Sequence, residues 1–449
     1  MTCQTEKGMK VLLLSTYDMG HQPFGLASPT AWLRACGHEV TCVDLSVEPA
    51  LSPASIREAE LIAFYLPMHA ATRLAATVIG QIRKINTSAT LCCFGLYAPA
   101  NAEYLHQLGV DVILGGEFEG ELAGLAENTW QPSGSGTVPR LSFVPPDRSS
   151  LPDLRRYPKL VQPEALRVVG YTEASRGCKH FCRHCPVVPV YNGAFRIVQP
   201  EVVLEDVRRQ VTAGAEHITF GDPDFFNGPV HARRIVEALH AEFPFLTYDV
   251  TIKIEHILQH RKLLPALRET GCLFVTSAVE SVDDEVLQKL EKGHTRADFV
   301  EAVELLRDAG LIISPTFLAF TPWTTLPGYR ELLHTVAELQ LIENVTPVQW
   351  SLRLLLPSGS RLLELSDVRQ VIRKYDPEAL MYNWQHSDPA MDVLAHDVLK
   401  LVHTGVRERK TRRETFSKIA KLAGVGSGYQ LPIMGSRTTI PYLEEPWFC

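Results

Sequence analysis

Cys178, Cys182 and Cys185 fall within eight residues, in the run Ser175-Arg-Gly-Cys-Lys-His-Phe-Cys-Arg-His-Cys-Pro186. Their spacing is C-x3-C-x2-C. Three thiolates this close can hold three corners of a four-iron four-sulfur cluster, because such clusters are ligated by cysteine. One iron is then left open and can bind and reduce a small molecule. A single zinc ion would need a fourth ligand, which His180 or His184 could supply. A disulfide would leave one of the three thiols unpaired.

The elements that must position this loop alternate along the chain. In the first third, the apolar runs Lys10–Ser15, Glu39–Leu45, Leu61–Tyr65, Thr90–Phe94 and Asp111–Gly115 read as buried strands. Helical patterns separate them, which predicts a doubly wound, flavodoxin-type parallel sheet. Ligands of such sheets lie beyond the carboxyl ends of the strands. Here those ends are Ser15–Phe24, Leu66–Ala70, Gly95–Pro99 and Gly115–Glu121, rich in small residues.

A stretch rich in Pro, Ser and Gly, residues 131–165, reads as a linker. The alternation then restarts. Strands are expected at Arg167–Thr172, His217–Phe220, Thr247–Ile254, Leu273–Ala278, Leu311–Phe320 and Thr346–Leu356. This pattern predicts a partial (β/α)6 barrel of TIM type over residues 166–365, with chemistry at the carboxyl ends of its strands. Residues 366–449 read as a mainly helical region and an irregular tail. The expected domains are therefore 1–130, 166–365 and 366–449, joined by the 131–165 linker.

The cysteine triplet and the segments after it resemble the radical S-adenosylmethionine (SAM) enzymes. The resemblance implies that Cys178, Cys182 and Cys185 hold the cluster and that the open iron takes the amino and carboxylate groups of SAM. Phe220-Gly-Asp-Pro-Asp224 is similar to the family's Gly-Gly-Glu segment, which contacts the SAM ammonium. Gly221, Asp222 and Asp224 are the expected contacts there, since a carboxylate suits a cation. Lys253 falls where relatives contact the SAM carboxylate and ribose, and Glu280 and Ser281 where they approach the ribose. Arg353 lies in an apolar run; it is expected to meet the SAM carboxylate, an anionic substrate or a salt-bridge partner. His184 stands where relatives often carry an aromatic near adenine.

The first third resembles the cobalamin-binding domain that precedes many radical SAM enzymes, through Pro23-Phe-Gly-Leu-Ala27, Arg34-Ala-Cys-Gly-His-Glu-Val40 and Gly115-Gly-Glu-Phe-Glu-Gly-Glu121. The D-x-H-x-x-G motif with a cobalt-ligating histidine is absent. Radical SAM relatives often bind cobalamin without it, so cobalamin remains an expected cofactor. His21 and His69, both at strand ends, read as surface or pocket histidines rather than cobalt ligands.

The tail ends in Trp447-Phe-Cys449, and with the Gly20–Ala27 segment it resembles the radical SAM group whose members end in Cys–selenocysteine or Cys–Cys followed by Ala-Glu-Pro. The resemblance implies a selenoprotein whose next codon is a UGA read as selenocysteine. Cys449 is then a mobile thiol that reaches a soft atom at the barrel mouth. Sequencing the gene beyond this codon tests the reading; the expected result is in-frame Ala-Glu-Pro codons.

Composition narrows the function further. The chain has 449 residues, 45% hydrophobic and 21% charged, with a net charge of −7. That balance argues against a broad nucleic-acid-binding face. No stretch approaches the roughly 18 apolar residues of a membrane span. Ten cysteines behind a polar start read as reduced cytoplasmic thiols. The expected function is reductive SAM cleavage that starts radical chemistry on a small-molecule substrate, with cobalamin-dependent methyl transfer as the leading outcome. An external electron donor such as flavodoxin or ferredoxin is the expected partner. Two rivals stand beside it: aminocarboxypropyl transfer from SAM to a metalloid such as arsenic, and a cluster-bearing sensor without turnover. Replacing Cys182 by Ala is expected to abolish cluster assembly, read as loss of bound iron and acid-labile sulfide; full iron retention would contradict the cluster assignment.

Overall fold

The computed structural model describes residues 8–131, 138–162 and 165–425, together with the backbone of Tyr442–Leu443. The first sheet consists of β1 (Lys10–Ser15), β2 (Glu39–Asp44), β3 (Leu61–Tyr65), β4 (Thr90–Phe94) and β5 (Val112–Leu114), all parallel, in the order β2-β1-β3-β4-β5. This is the flavodoxin-like order. The period-2 alternation of each strand divides the apolar residues between two cores. Leu12, Leu14, Ile62, Phe64, Leu91 and Cys93 pack under the helices Pro53–Glu58 and His69–Ile85. Val11, Leu13, Ala63, Cys92 and Phe94 pack under Phe24–Ala35 and Glu119–Ala126.

The second sheet holds β6 (Val169–Thr172), β7 (His217–Phe220), β8 (Thr247–Thr251), β9 (Cys272–Glu280) and β10 (Ile312–Phe317), parallel and in sequential order. Amphipathic helices such as Pro200–Thr212, Pro229–Glu242, Arg296–Asp308 and Leu326–Glu338 bury one face against it. The last of the expected barrel strands differs in detail. Residues 347–350 form a 3-10 turn opened by Pro347, which has no N–H for a ladder. Pairing is confined to a single parallel bridge between Phe320 and Arg353. The buried Trp350 ring turns inward instead, against Phe317 and Phe416.

The C-terminal helices Pro389–Arg407 and Arg412–Leu422 insert Met391, Val398, Val402, Phe416 and Ile419 into the barrel core. Between them and the barrel lies a hairpin the sequence pattern does not signal, Ile372–Asp376 with Met381–Trp384. Its turn reaches the helix His69–Ile85 that packs on the first sheet, where His69 Nε2 lies 2.7 Å from the Ala379 carbonyl. The tail thiol Cys449 lies outside the described residues; Tyr442–Leu443 pair with Leu160–Val161.

Two straps join the sheets. Arg148 in the linker bonds Asp206 Oδ1 at 2.9 Å, Gln22 Oε1 at 2.9 Å and the Tyr171 carbonyl at 2.7 Å. Arg176 makes the second and deeper one.

Candidate active site at the barrel mouth

β6 ends at Thr172, and the chain turns into the loop that carries the three cysteines. Cys178 and Cys182 are buried and Cys185 half-buried; all three are free. The loop is held from several sides. Lys179 N donates to Asn227 Oδ1 and its Nζ to the Asn227 carbonyl at 2.6 Å. Arg183 donates from its backbone to the Leu290 carbonyl and from Nη1 to the Lys289 carbonyl, and it pairs with Glu291. Arg361 bonds the Phe181 carbonyl and the same Glu291. Burial pushes the Cys178 thiol up and the Cys185 thiol up to about 12. A bound cation is what would deprotonate them.

The donor set discriminates between the two metal readings. Around one zinc with ~2.3 Å bonds, tetrahedral sulfurs lie about 3.8 Å apart. Among the described residues the three cysteines do not gather with a His, Asp or Glu into a compact single-ion set, whereas three free cysteines on one loop are the donor set a four-iron cluster takes.

Arg176, two residues before Cys178, is almost wholly buried. Its Nη1 and Nη2 meet Glu119 at 2.9 and 2.7 Å, its Nε meets Glu173 at 2.6 Å, and Glu117 lies 3.3 Å away. Phe24, Phe118 and Phe143 ring it at 4.8–5.5 Å. Burial pushes Glu117 up to about 7 against the pull of Arg176, so protonation offsets part of the excess negative charge. Glu117 also accepts from the Tyr191 hydroxyl at 3.0 Å. The carboxyl end of β5 is thereby fixed to the cysteine loop. Leu96, just past β4, packs into the same apolar cluster as Cys178, Val187 and Tyr191.

The expected SAM-contact residues divide into groups. Glu280 ends β9 at a bulge and adopts φ +69°, a left-handed conformation costly for a non-glycine residue. Its Oε1 lies 3.2 Å from His184 Nε2 and 3.6 Å from Lys292 Nζ. Burial alone would raise its pKa; Lys292 and His184 outweigh that and pull it down to about 2. Ser281 accepts from Asp283 N at 3.0 Å. Lys253 is buried at the start of the helix Ile254–Gln259, with Nζ 3.3 Å from Glu255. His184, Glu280 and Lys253 thus come together at one mouth.

Phe220 is fully buried among Phe225 and Tyr248. Gly221 donates its N–H to the Thr172 carbonyl, and any Cβ there would strike the Tyr171 hydroxyl. Asp222 accepts from Ala174 N at 2.9 Å and bonds the Ser175 hydroxyl; burial pushes it up to about 7. Asp224 faces His180 and His256. Arg353 pairs with Asp392 at 2.8 Å and stacks 4.1 Å over Trp384, which is the salt-bridge option for this cation.

Two residues escaped the sequence reading. Lys292 is buried beside Glu280. The ring of His294 is buried, and burial, then Lys292 and Lys253, lower its pKa to about 4. The available signal was Lys292-Gly-His294 directly after the amphipathic turn Asp284–Lys289, with Gly293 at φ +74°.

A barrel with a three-cysteine loop on its first strand and a charged mouth defines an iron–sulfur α/β-barrel domain. The model of the radical SAM superfamily matches residues 172–325, so the chain carries a radical SAM domain. That class works with a four-iron four-sulfur cluster and SAM. Among known proteins, hopanoid C-3 methylase of Methylococcus capsulatus is 25% identical over 324 residues, covering 67% of this chain. This chain spans 62% of that methylase's length. The cobalamin-dependent SAM radical enzyme OxsB, solved with aqua-cobalamin and SAM bound, superposes with a TM-score of 0.69 at 14% identity, covering 93% of this chain and 72% of that one. The radical SAM methyltransferase TsrM of Kitasatospora setae, with cobalamin and a [4Fe-4S] cluster, gives 0.59 at 17% identity over 74% and 73%. These two structures share the fold.

The environment of Glu280 generates a pH prediction. Its carboxyl is depressed from 4.5 to about 2, so the stability it contributes is present above pH 4.5 and lost as the pH falls towards 2. The expected size is about 3 kcal/mol. Urea unfolding at a series of pH values should show that loss in the wild type; in Glu280→Gln it should be missing and the neutral-pH stability lower.

Proposed function

We propose that this chain is a radical SAM enzyme that transfers a methyl group to an unreactive atom of a small molecule, with cobalamin as the methyl carrier. One observation carries the reading: the carboxyl ends of the two parallel sheets meet at the cysteine loop, with Leu96 and Tyr191 in one apolar cluster with Cys178 and Arg176 locking Glu119 beneath it. A ligand resting on the first sheet therefore adjoins a ligand resting in the barrel. The similarity to a hopanoid methylase and the shared fold of two cobalamin enzymes support it.

In this reading Cys178, Cys182 and Cys185 hold the cluster. Lys253, Lys292 and His294 bind the SAM carboxylate, since two buried cations beside a buried imidazole suit an anion. Glu280 and Ser281 receive the ribose hydroxyls, and His184, held by Glu280, orients adenine. Phe220 and Gly221 supply wall and backbone for the ammonium end; Asp222 and Asp224 brace that wall from behind. Gly95–Tyr97 and Gly115–Gly116 would take the corrinoid. His69 is engaged by the Ala379 carbonyl and His21 packs on Tyr171, so neither is offered as a cobalt ligand. Bound, the cofactors supply reductive SAM cleavage and methyl transfer; the protein supplies placement and exclusion of water. An external electron donor, a small-molecule substrate and a cytoplasmic setting belong to the same proposal. Among the described residues no helix is long and apolar enough to cross a membrane.

The test is anaerobic reconstitution with SAM and a strong reductant, followed by mass spectrometry of the SAM fragments. 5′-Deoxyadenosine is the expected product, joined by S-adenosylhomocysteine once cobalamin is supplied. Methylthioadenosine in their place would replace methyl transfer with aminocarboxypropyl transfer. An intact SAM pool would leave a cluster-bearing protein without turnover.

A further inference from the structure

Beside the cysteine loop lies a second set of metal-ligating side chains, of which the radical SAM reading uses only Asp224, as a brace. His180 comes from the loop itself, between Cys178 and Cys182. Asp224 follows β7, and His256 lies on the helix Ile254–Gln259. One ligand atom from each falls within 4.8 Å of the other two. Asp224 Oδ2 is 2.7 Å from His256 Nδ1 and 3.6 Å from His180 Nε2. The Asp224 side chain is wholly buried, and His256 and His180 are 10% and 16% exposed.

These contacts are close but poorly aligned for hydrogen bonds. Asp224 Oδ2, His256 Nδ1 and His180 Nε2 are all buried, and none has a well-aligned hydrogen-bond partner. A buried carboxylate oxygen whose hydrogen bonds are poorly formed is costly. Asp224 cannot turn away, because its Oδ1 accepts from Phe226 N and caps the turn Phe225–Asn227. Three ligand-type atoms that converge this closely with poor hydrogen-bond alignment are arranged as ligands of a common centre. Ligands bonded at ~2.0–2.1 Å to one tetrahedral ion lie about 3.3 Å apart, which the two separations of 2.7 and 3.6 Å bracket. A supporting carboxylate is also present: Glu255 Oε2 lies 3.5 Å from His180 Nδ1, the nitrogen opposite the one aimed at Asp224. Metal-bound histidines commonly donate that second N–H to a carboxylate.

We propose that His180, Asp224 and His256 bind one divalent transition-metal ion of the zinc class, separate from the cluster. Two imidazoles and one carboxylate suit such ions and leave coordination positions open for water. The ion bridges three pieces of chain: the cysteine loop, the end of β7 and the helix after β8. It clasps the loop before or without cluster assembly.

The experiment uses the full-length, cluster-loaded protein, stripped of loosely held metal by brief chelation and equilibrated with Zn²⁺. Zinc, iron and sulfide are counted after dialysis, and the zinc edge is examined by X-ray absorption. The expected result is about one zinc per chain, with a nitrogen–oxygen shell showing two imidazoles and no sulfur. In His256→Ala and Asp224→Asn the zinc should fall at least tenfold, and added Zn²⁺ should no longer raise the Tm. The triple Cys→Ser variant should keep its zinc. Absence of bound zinc from the wild type, or a sulfur shell around it, overturns the proposal, and neither readout depends on the variants folding.

Discussion

A guanidinium buried among three carboxylates holds this structure in register. Arg176 alone would be prohibitively costly so far from water; Glu119 and Glu173 compensate it, and Glu117 completes the set. Such a network contributes little net stability compared with an apolar substitute. What it fixes is geometry. Glu117 and Glu119 follow β5, the last strand of the first sheet, and Glu173 and Arg176 lie at the start of the cysteine loop. A shift of either sheet would strand charge in a medium that cannot solvate it. The aromatic collar of Phe24, Phe118 and Phe143 keeps water out and raises the penalty for separation.

Once that register is set, the mouth of the barrel follows. The cysteine loop has regular structure only at its edges, so its shape comes from partners outside it: Asn227, Glu291, Arg361 and the carbonyls of 289 and 290. Across from it, β9 ends in a bulge that turns Glu280 into a left-handed conformation. Strain of this kind persists only where surroundings over-determine it. Here the His184 and Lys292 contacts do so, and they link the strained residue back to the loop between Cys182 and Cys185. The C-terminal hairpin touches the first domain at Ala379, where His69 begins the helix after β3.

Much of this is legible in the sequence because the signals are local. Cysteine spacing, apolar runs of five or six residues and their alternation with helical periods need no knowledge of tertiary contacts. The harder features are those where neighbours in space decide. Asp222 and Asp224 are chemically identical and two residues apart, yet one faces Ser175 and the other two imidazoles. Thr346–Leu356 has the composition of a strand, but Pro347 and the inward turn of Trp350 leave a single bridge. The hairpin 372–384 is short and polar, and its pairing is set by packing rather than period. Lys292 and His294 gain meaning only beside Glu280, which the sequence places a dozen residues earlier.

The central claim is that three cysteines present an iron–sulfur cluster whose open iron receives SAM at a mouth built from both sheets. Electron paramagnetic resonance of the anaerobically reduced protein, recorded with and without SAM, tests it most directly. The account predicts a reduced four-iron signal, carried by the three cysteines, whose shape changes when SAM is added. A four-iron signal indifferent to SAM, or one that survives replacement of Cys178, Cys182 and Cys185, would contradict it.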